Sequence, residues 1–387
     1  MKLRTLAKRR SLRAFFRSFL RYFFGSRSSQ KLVTLQWYFN LQTELLLRSP
    51  IAAKTAQSIW TARVWVDSEV FPRILKLIDR AEHTILIQMF IWKDDAIGRL
   101  VADALGEAAD RGVKVQIAKE VIGDALELDK DFYSTKHSKD EAWQRFWNHP
   151  NIVIRHVRHD DHAKVYIFDG EVLLLTGMNI ADEYHTSWHD YMVEVRGREF
   201  VEQYLTHGSS RDPQAPVQLF LNTADQREIR PTITKLLTEA QESIVVEHCY
   251  LSDPQIVDLL IQKSKDDVSV TVIVPEKPNH SQNSNLLSVL KLTTEGHPQN
   301  MEVFFYPGMF HAKILLIDRE TAFLGSANLI PTSLDTVGEV NVLLQGTLQR
   351  AVVKLRDTLR GDILKSRPLM SPPYFSWLNR VMAWLRL

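Results

Sequence analysis

The sequence predicts an α/β protein made of two tandem halves, and three observations carry that prediction. Five polar positions recur at one offset: His162, Lys164, Asp169, Asn179 and Asp190 are matched, 149 positions later (311 − 162), by His311, Lys313, Asp318, Asn328 and Glu339. Apolar runs of strand character alternate with stretches of helical spacing in both halves. Between the halves, residues 206–216 (THGSSRDPQAP) have the Gly, Ser and Pro content of a linker. Strand–helix alternation predicts a mostly parallel sheet flanked by helices in each half, and the repeat predicts halves related by pseudo-twofold symmetry. The expected division is a basic amphipathic arm over 1–50, a first domain over 51–205, the linker 206–216, a second domain over 217–361 and an aromatic tail over 362–387.

The arm comes first along the chain. Residues 1–43 hold ten Lys or Arg and no Asp or Glu, which leaves 38 basic against 46 acidic residues in the rest. The body is therefore mildly acidic, although the whole chain has a formal charge of +2. Leu12, Phe15, Phe16, Phe19, Leu20 and Phe23 recur at three- and four-residue spacing, with Arg10, Arg13, Arg17 and Arg21 on the flank. That pattern predicts a helix lying on an anionic membrane surface through residues 1–31. A targeting peptide, a nucleic-acid-binding tail and a simple packing helix are the rival readings. No stretch reaches the roughly 18 apolar residues that a spanning helix needs.

Residues 64–80 read as a helix entry, 84–90 (TILIQMF) as a buried strand, 98–111 as a helix stopped by Gly112, and 113–118 as a second strand. A less regular stretch to Pro150 precedes a strand over 152–156. The second half repeats the order, with a helix over 230–241, a strand over 243–247, a helix over 254–264 and strands over 268–274 and 301–306. In the tail, Trp377, Leu378, Val381, Trp384 and Leu385 share one helical face. That face either packs on the body or makes a second membrane contact over 374–387.

At 387 residues, 45% apolar and 24% charged, the composition is that of a globular chain with a sizeable core. The sole cysteine, Cys249, excludes an internal disulfide framework and any multi-cysteine metal centre. It follows a strand-like run and is expected to be a buried, inert thiol.

Chemistry enters with the doubled pattern His-x-Lys-x-x-x-x-Asp. Strand alternation places the imidazole and the ammonium of each copy on one face. The ammonium neutralises non-bridging oxygens of a phosphodiester, while the imidazole attacks phosphorus or protonates the leaving oxygen. Two such strands facing each other predict two histidines across one phosphate.

On these residues the chain resembles the phospholipase D superfamily, over residues 60 to about 350. The turns Thr176-Gly177-Met178-Asn179 and Gly325-Ser326-Ala327-Asn328 look like those that carry the family's phosphate-binding asparagine. The stretch from Phe310-His311-Ala312-Lys313 through Asn328-Leu329 to Glu339-Val340 is especially similar to bacterial cardiolipin synthases, as are Glu69 to Pro72, residues 108–115 and Tyr250 to Pro254. Both motif aspartates are present, unlike the tyrosyl-DNA phosphodiesterase branch. Two departures stand out: Thr176 replaces the first residue of a usual Gly-Gly pair, and Ala163 stands where arginine is frequent.

The resemblance implies two tandem phospholipase D-like domains and a two-step transfer through a phosphohistidine, with no metal or other cofactor. By motif position His162 is the nucleophile and His311 the general acid, later the base that activates the acceptor. Lys164, Lys313, Asn179 and Asn328 bind the phosphate oxygens. Asp190 and Glu339, 28 residues after the histidine of their own half, orient the imidazoles. Asp169 and Asp318 complete the catalytic motif and, standing at strand ends, read as structural support. His156, His159 and His162 have a spacing that suits zinc, but the family chemistry needs none.

The function so implied is that of a phosphatidyltransferase of cardiolipin synthase type, moving a phosphatidyl group onto the hydroxyl of a second lipid such as phosphatidylglycerol. Hydrolysis of phospholipids, with water as acceptor, is the alternative. A nuclease is a third reading, which the acidic body disfavours. The expected partners are phospholipid substrates and an anionic membrane surface, not nucleic acid. The expected location is peripheral, on the cytoplasmic face of a bacterial inner membrane.

Overall fold

The first half forms a sheet because its apolar runs are short, rich in β-branched residues and broken by turns. The computed structural model describes residues 61–120, 123, 132–157, 161–208, 212, 214–346, 350–374, 376 and 379. The arm over 1–50 and most of the tail beyond Tyr374 lie outside the described residues. In chain order the first half gives β1 (Thr61–Val66), α1 (Val70–Arg80), β2 (Thr84–Met89), α2 (Ala96–Asp110), β3 (Lys114–Glu120) and α3 (Glu141–Asn148). It continues with β4 (Ile152–Val157), β5 (Lys164–Phe168), β6 (Val172–Thr176), α4 (Asp182–Thr186), β7 (Tyr191–Arg196) and α5 (Arg198–Thr206).

The second half follows the same plan. It opens with β8 (Val217–Asn222), α6 (Ile229–Glu239), β9 (Ser243–His248), α7 (Pro254–Lys265), β10 (Ser269–Pro275), α8 (Gln282–Glu295) and β11 (Met301–Tyr306). Then come β12 (Lys313–Ile317), β13 (Thr321–Gly325), α9 (Pro331–Asp335), β14 (Glu339–Gln345), α10 (Arg350–Lys365) and β15 (Arg367–Pro368). The strand orders are β1-β7-β6-β5-β2-β3-β4 and β8-β14-β13-β12-β9-β10-β11-β15, so the two sheets match strand for strand until β15 extends the second. The duplicated sequence is a duplicated fold.

The α/β class with two phospholipase D-like domains stands, but the sheets are mixed rather than mostly parallel. Only β2-β3-β4 and β9-β10-β11 run parallel; β5, β6, β7 and β1, and their counterparts, pair antiparallel. The physical reason lies in the turns. Asp169 and Gly170 take φ of 50° and 67°, and Asp318 and Arg319 take 50° and 61°. Consecutive residues at positive φ reverse the chain in a tight hairpin, which joins only antiparallel neighbours. A second correction concerns 64–80: its start is β1, paired with β7 through Val64 and Val193, and the helix begins at Val70. Asp67, at φ 51°, separates the two elements.

Strand alternation builds the layers. Val165, Ile167, Leu173, Leu175 and Val193 of the first sheet are buried against Ile314, Leu316, Leu324, Val340 and Val342 of the second. The intervening residues Tyr166, Leu174 and Met192 face α1 to α3, and Leu315, Phe323 and Leu343 face α6 and α7. Both faces of each sheet are covered, so the strands read as unbroken apolar runs. This sheet-on-sheet contact brings the amino ends of β5 and β12 to one place.

Candidate active site

Each motif histidine stands just before its strand, and the opposite domain holds its backbone. His162 N–H donates to the Gly338 carbonyl at 2.8 Å, and His311 N–H donates to the His189 carbonyl at 2.8 Å. Positions 189 and 338 are themselves 149 apart, so the exchange is pseudo-symmetric. The side chains repeat it: His162 Nδ1 lies 3.1 Å from Glu339 Oε1, and His311 Nδ1 lies 3.1 Å from Asp190 Oδ2. The expectation that each carboxylate orients the histidine of its own half is therefore corrected. Sheet-on-sheet packing, invisible to a count along the chain, places each carboxylate opposite the other half's imidazole.

The carboxylates are anchored differently. Glu339 Oε2 accepts from Ser326 Oγ at 2.5 Å, and its Oε1 accepts from Ser333 Oγ. Asp190 Oδ1 accepts from the Tyr191 amide at 2.8 Å. The lysines are buried: Lys164 Nζ donates to the His162 carbonyl at 2.5 Å and lies 5.0 Å above the Phe90 ring. Lys313 Nζ donates to the His311 carbonyl at 2.6 Å and stands 3.4 Å from Cys249 Sγ.

Asn179 and Asn328 are also buried. Asn179 Oδ1 accepts from the Ile91 amide at 2.9 Å, and its Nδ2 donates to Tyr184 Oη at 2.7 Å. Asn328 Oδ1 accepts from Cys249 Sγ at 3.1 Å. An amide nitrogen carries two hydrogens, so Asn179 keeps one for a further acceptor. His, Lys, Asn and carboxylate of both halves thus meet in one place.

Asp169 and Asp318 do not belong to that place. The Asp169 carboxylate accepts from the amides of Glu82, His83 and Thr84, and Asp318 accepts from those of Gln241, Glu242 and Ser243. They tie the far ends of β5 and β12 to the starts of β2 and β9. Of the two roles expected of them, these bonds are those of structural support, and four residues of strand stand between each aspartate and Lys164 or Lys313. Of the possible zinc trio, His159 and the His156 side chain lie outside the described residues.

Sequence reasoning missed the aromatic walls. His311 is stacked by Trp188 (6.0 Å between centroids) and edged by Tyr184 at 5.2 Å, while Phe90 edges His162 at 4.9 Å. At the ends of strands, Phe90 and Cys249 look like core residues. They are related by 159 positions (249 − 90), each just past the end of its strand, and that correspondence is the one signal that would have marked them. His280, stacked on Tyr250 at 4.2 Å with Nε2 2.8 Å from Tyr250 Oη, is drawn in the same way from the loop before α8.

Burial opposes charge throughout. It lowers His162 and, more strongly, His311, with Lys164 and Lys313 respectively adding to the effect. It pulls Lys164 down to about 7 and pushes Asp190 up to about 7 and Asp161 to about 6. Cys249, raised to about 11 by burial, stays a thiol at neutral pH.

A model of the family described as "Cardiolipin synthase, PLD-like domain" matches residues 74–209 and again 233–362. The major cardiolipin synthase ClsA of Bacillus subtilis is 25% identical over 349 residues, which cover 82% of this chain and 70% of that one. Cardiolipin synthase B of Shigella flexneri is 25% identical over 330 residues, 76% and 78% of the two chains. Among solved structures, the phosphatidylserine synthase of Haemophilus influenzae superposes with a TM-score of 0.63 at 13% identity, covering 84% of this chain and 91% of that one. That last likeness is one of fold alone.

Proposed function

The chain belongs to the cardiolipin synthase family of phospholipase D-like proteins and is a phosphatidyltransferase of that superfamily, and from this premise we propose that it joins two phospholipids through a phosphohistidine. The observation that carries the reading is the crossed pairing of imidazoles and carboxylates. A carboxylate at Nδ1 accepts a hydrogen bond from that nitrogen and turns Nε2 outward, as a lone pair on neutral His162 and as an N–H on protonated His311. Two imidazoles so fixed present two Nε2 atoms to one phosphodiester.

In the first step His162 Nε2 attacks phosphorus, and the bond to the head-group oxygen breaks. Imidazolium His311 gives that oxygen its proton, so the head-group alcohol leaves neutral. In the second step neutral His311 takes the proton of the acceptor hydroxyl, whose oxygen displaces His162. With phosphatidylglycerol as both donor and acceptor, the products are cardiolipin and glycerol. Lys164, Lys313 and the free amide hydrogens of Asn179 and Asn328 hold the non-bridging oxygens as charge builds on them. The anionic phosphate supplies the field that favours charged Lys164 and protonated His311, while His162 stays neutral to attack.

Similarity to cardiolipin synthases along most of the chain favours a lipid hydroxyl over water as acceptor. Among the described residues no helix is long and apolar enough to cross a membrane, and the basic arm over 1–31 is the part proposed to hold the protein on the bilayer. The test is incubation of the full chain with phosphatidylglycerol vesicles and mass spectrometry of the lipids. Cardiolipin with equimolar glycerol is the expected outcome. Phosphatidic acid would make the protein a hydrolase, and undiminished turnover by His162→Ala would remove the proposed nucleophile.

A further inference from the structure

Behind His311 lies a second group of ionisable side chains that no step above uses. His189, the residue before Asp190, is 5% exposed. Its Nδ1 is 2.8 Å from Asp67 Oδ1, and its Nε2 is 3.0 Å from Tyr191 Oη, 3.2 Å from Asp362 Oδ2 and 3.3 Å from Glu247 Oε1. Glu247 and Asp362 come from β9 and α10 of the second domain, and neither side chain reaches solvent. Lys365 pairs with Asp362 Oδ1 at 3.2 Å, and the His189 ring stacks on Tyr306 of β11. Burial opposes a charge on this imidazole, yet Tyr191, Asp362, Asp67 and Glu247 together hold its pKa well above 6.5. Three carboxylates around one buried ring are compatible when both ring nitrogens donate.

This group is wired to the site by backbone and side chain. Asp67 Oδ1 also accepts the Asp190 amide at 3.0 Å, and the Asp67 amide donates to the Asp190 carbonyl at 3.1 Å. The His189 carbonyl is the acceptor for the His311 amide. The other half has no counterpart: the position matching His189 is Gly338, where a Cβ would stand 2.7 Å from Asp161 Cγ. The pseudo-symmetry breaks here.

We propose that His189 is a positioning residue for His311: as an imidazolium shared by both domains it favours the ionised form of Asp190 and aims it, and so makes the two histidines unequal. This rests on the reading of His311 as the general acid. A cation beside Asp190 favours its carboxylate, and that carboxylate in turn favours protonated His311. Without the cation, His311 loses its proton at lower pH.

The test compares the full-length wild type with His189→Gln and His189→Arg, on phosphatidylglycerol vesicles and by nitrogen NMR of the His311 ring. In His189→Gln, kcat is expected to fall about tenfold or more with KM within about twofold. The alkaline limb of the kcat profile should move to lower pH by roughly one unit, the size of one charge interaction at an effective dielectric near 20. His189→Arg, which keeps the cation, should restore most of both. An unmoved limb together with an unmoved His311 titration overturns the proposal.

Should the glutamine variant fail to fold, Glu247→Gln provides the same reading, because removing one anion weakens the imidazolium and should shift the limb the same way. No shift there also overturns it. The NMR titration needs no substrate, so it separates failure of the wiring from failure of the lipid assignment. His311→Ala with full turnover would remove the general-acid reading instead. A stoichiometric divalent metal, lost in His189→Gln, would likewise overturn the proposal, since His189, Glu247 and Asp362 would then be its ligands.

Discussion

Lys164 shows at the scale of one residue how the site trades stability for chemistry. Burial lowers its pKa from 10.5 to about 7, so the folded state holds the charge less readily than the unfolded chain. Its contribution is therefore least favourable below pH 7 and improves as pH rises toward 10.5. Lys164→Met is expected to melt a few degrees higher than wild type at pH 6, to lose that advantage by pH 10, and to turn over lipid about 10²- to 10³-fold more slowly. Thermal melts at the two pH values and the vesicle assay check this; a lower melting point at pH 6 would contradict it. Asp190 and Asp161 have the opposite sign: raised to about 7 and about 6 from 3.8, they cost stability increasingly as pH climbs from 3.8 to those values. The paired His, Lys, Asn and carboxylate positions were legible because the pattern is local and occurs twice. Phe90, Trp188 and Tyr184 were not, because an aromatic residue that walls a site has the same sequence signature as one that fills a core.

Among the elements, the hairpins depend on Asp169 and Asp318. Each carboxylate collects three backbone amides that would otherwise go unpaired at a strand start. Asp169→Ala should cost about 2–4 kcal/mol of unfolding free energy by urea titration, while the kcat of the folded fraction stays within about twofold of wild type. A large kcat loss at unchanged stability would return the residue to the catalytic set. The Asp318 carboxyl is held below 3.8, burial opposing and the Ser243, Glu242 and Gln241 amides prevailing. Its stabilisation is complete above that value and disappears as pH falls through the lowered one. The strands over 84–90, 113–118, 243–247 and 268–274 were legible because helices separate them. Antiparallel β5-β6 and β12-β13 were not, since pairing direction is set by backbone φ at two turn residues. The helix α8 was missed because its sequence is polar and weakly periodic, and α3 because its apolar face of Trp143, Phe146 and Trp147 spans only eight residues.

On the scale of the molecule, each half completes the other's histidine, and this gives a kinetic signature. Glu339→Gln should slow attack by His162 whatever the leaving group. Asp190→Asn, which of the two histidines touches His311, should lose about 10²- to 10⁴-fold on phosphatidylglycerol but far less on a p-nitrophenyl phosphatidyl ester, whose leaving group needs no proton. Equal losses on the activated ester would reverse or abolish the assignment of the two histidines. The arm adds a separate outcome: removing residues 1–30 should weaken binding to anionic vesicles, most strongly at low salt. Two halves were legible from the repeat, whereas the crossing of partners between them was not, because it arises only when the sheets stack. The crossing also bears on how such a chain can change. Two identical subunits must accept every substitution twice, once in each copy, whereas copies fused on one ribbon can diverge singly. Gly338 opposite His189, Phe310 opposite Asp161 and Cys249 opposite Phe90 are departures that only a fused pair could accumulate, and they let the surroundings of the two histidines be adjusted independently.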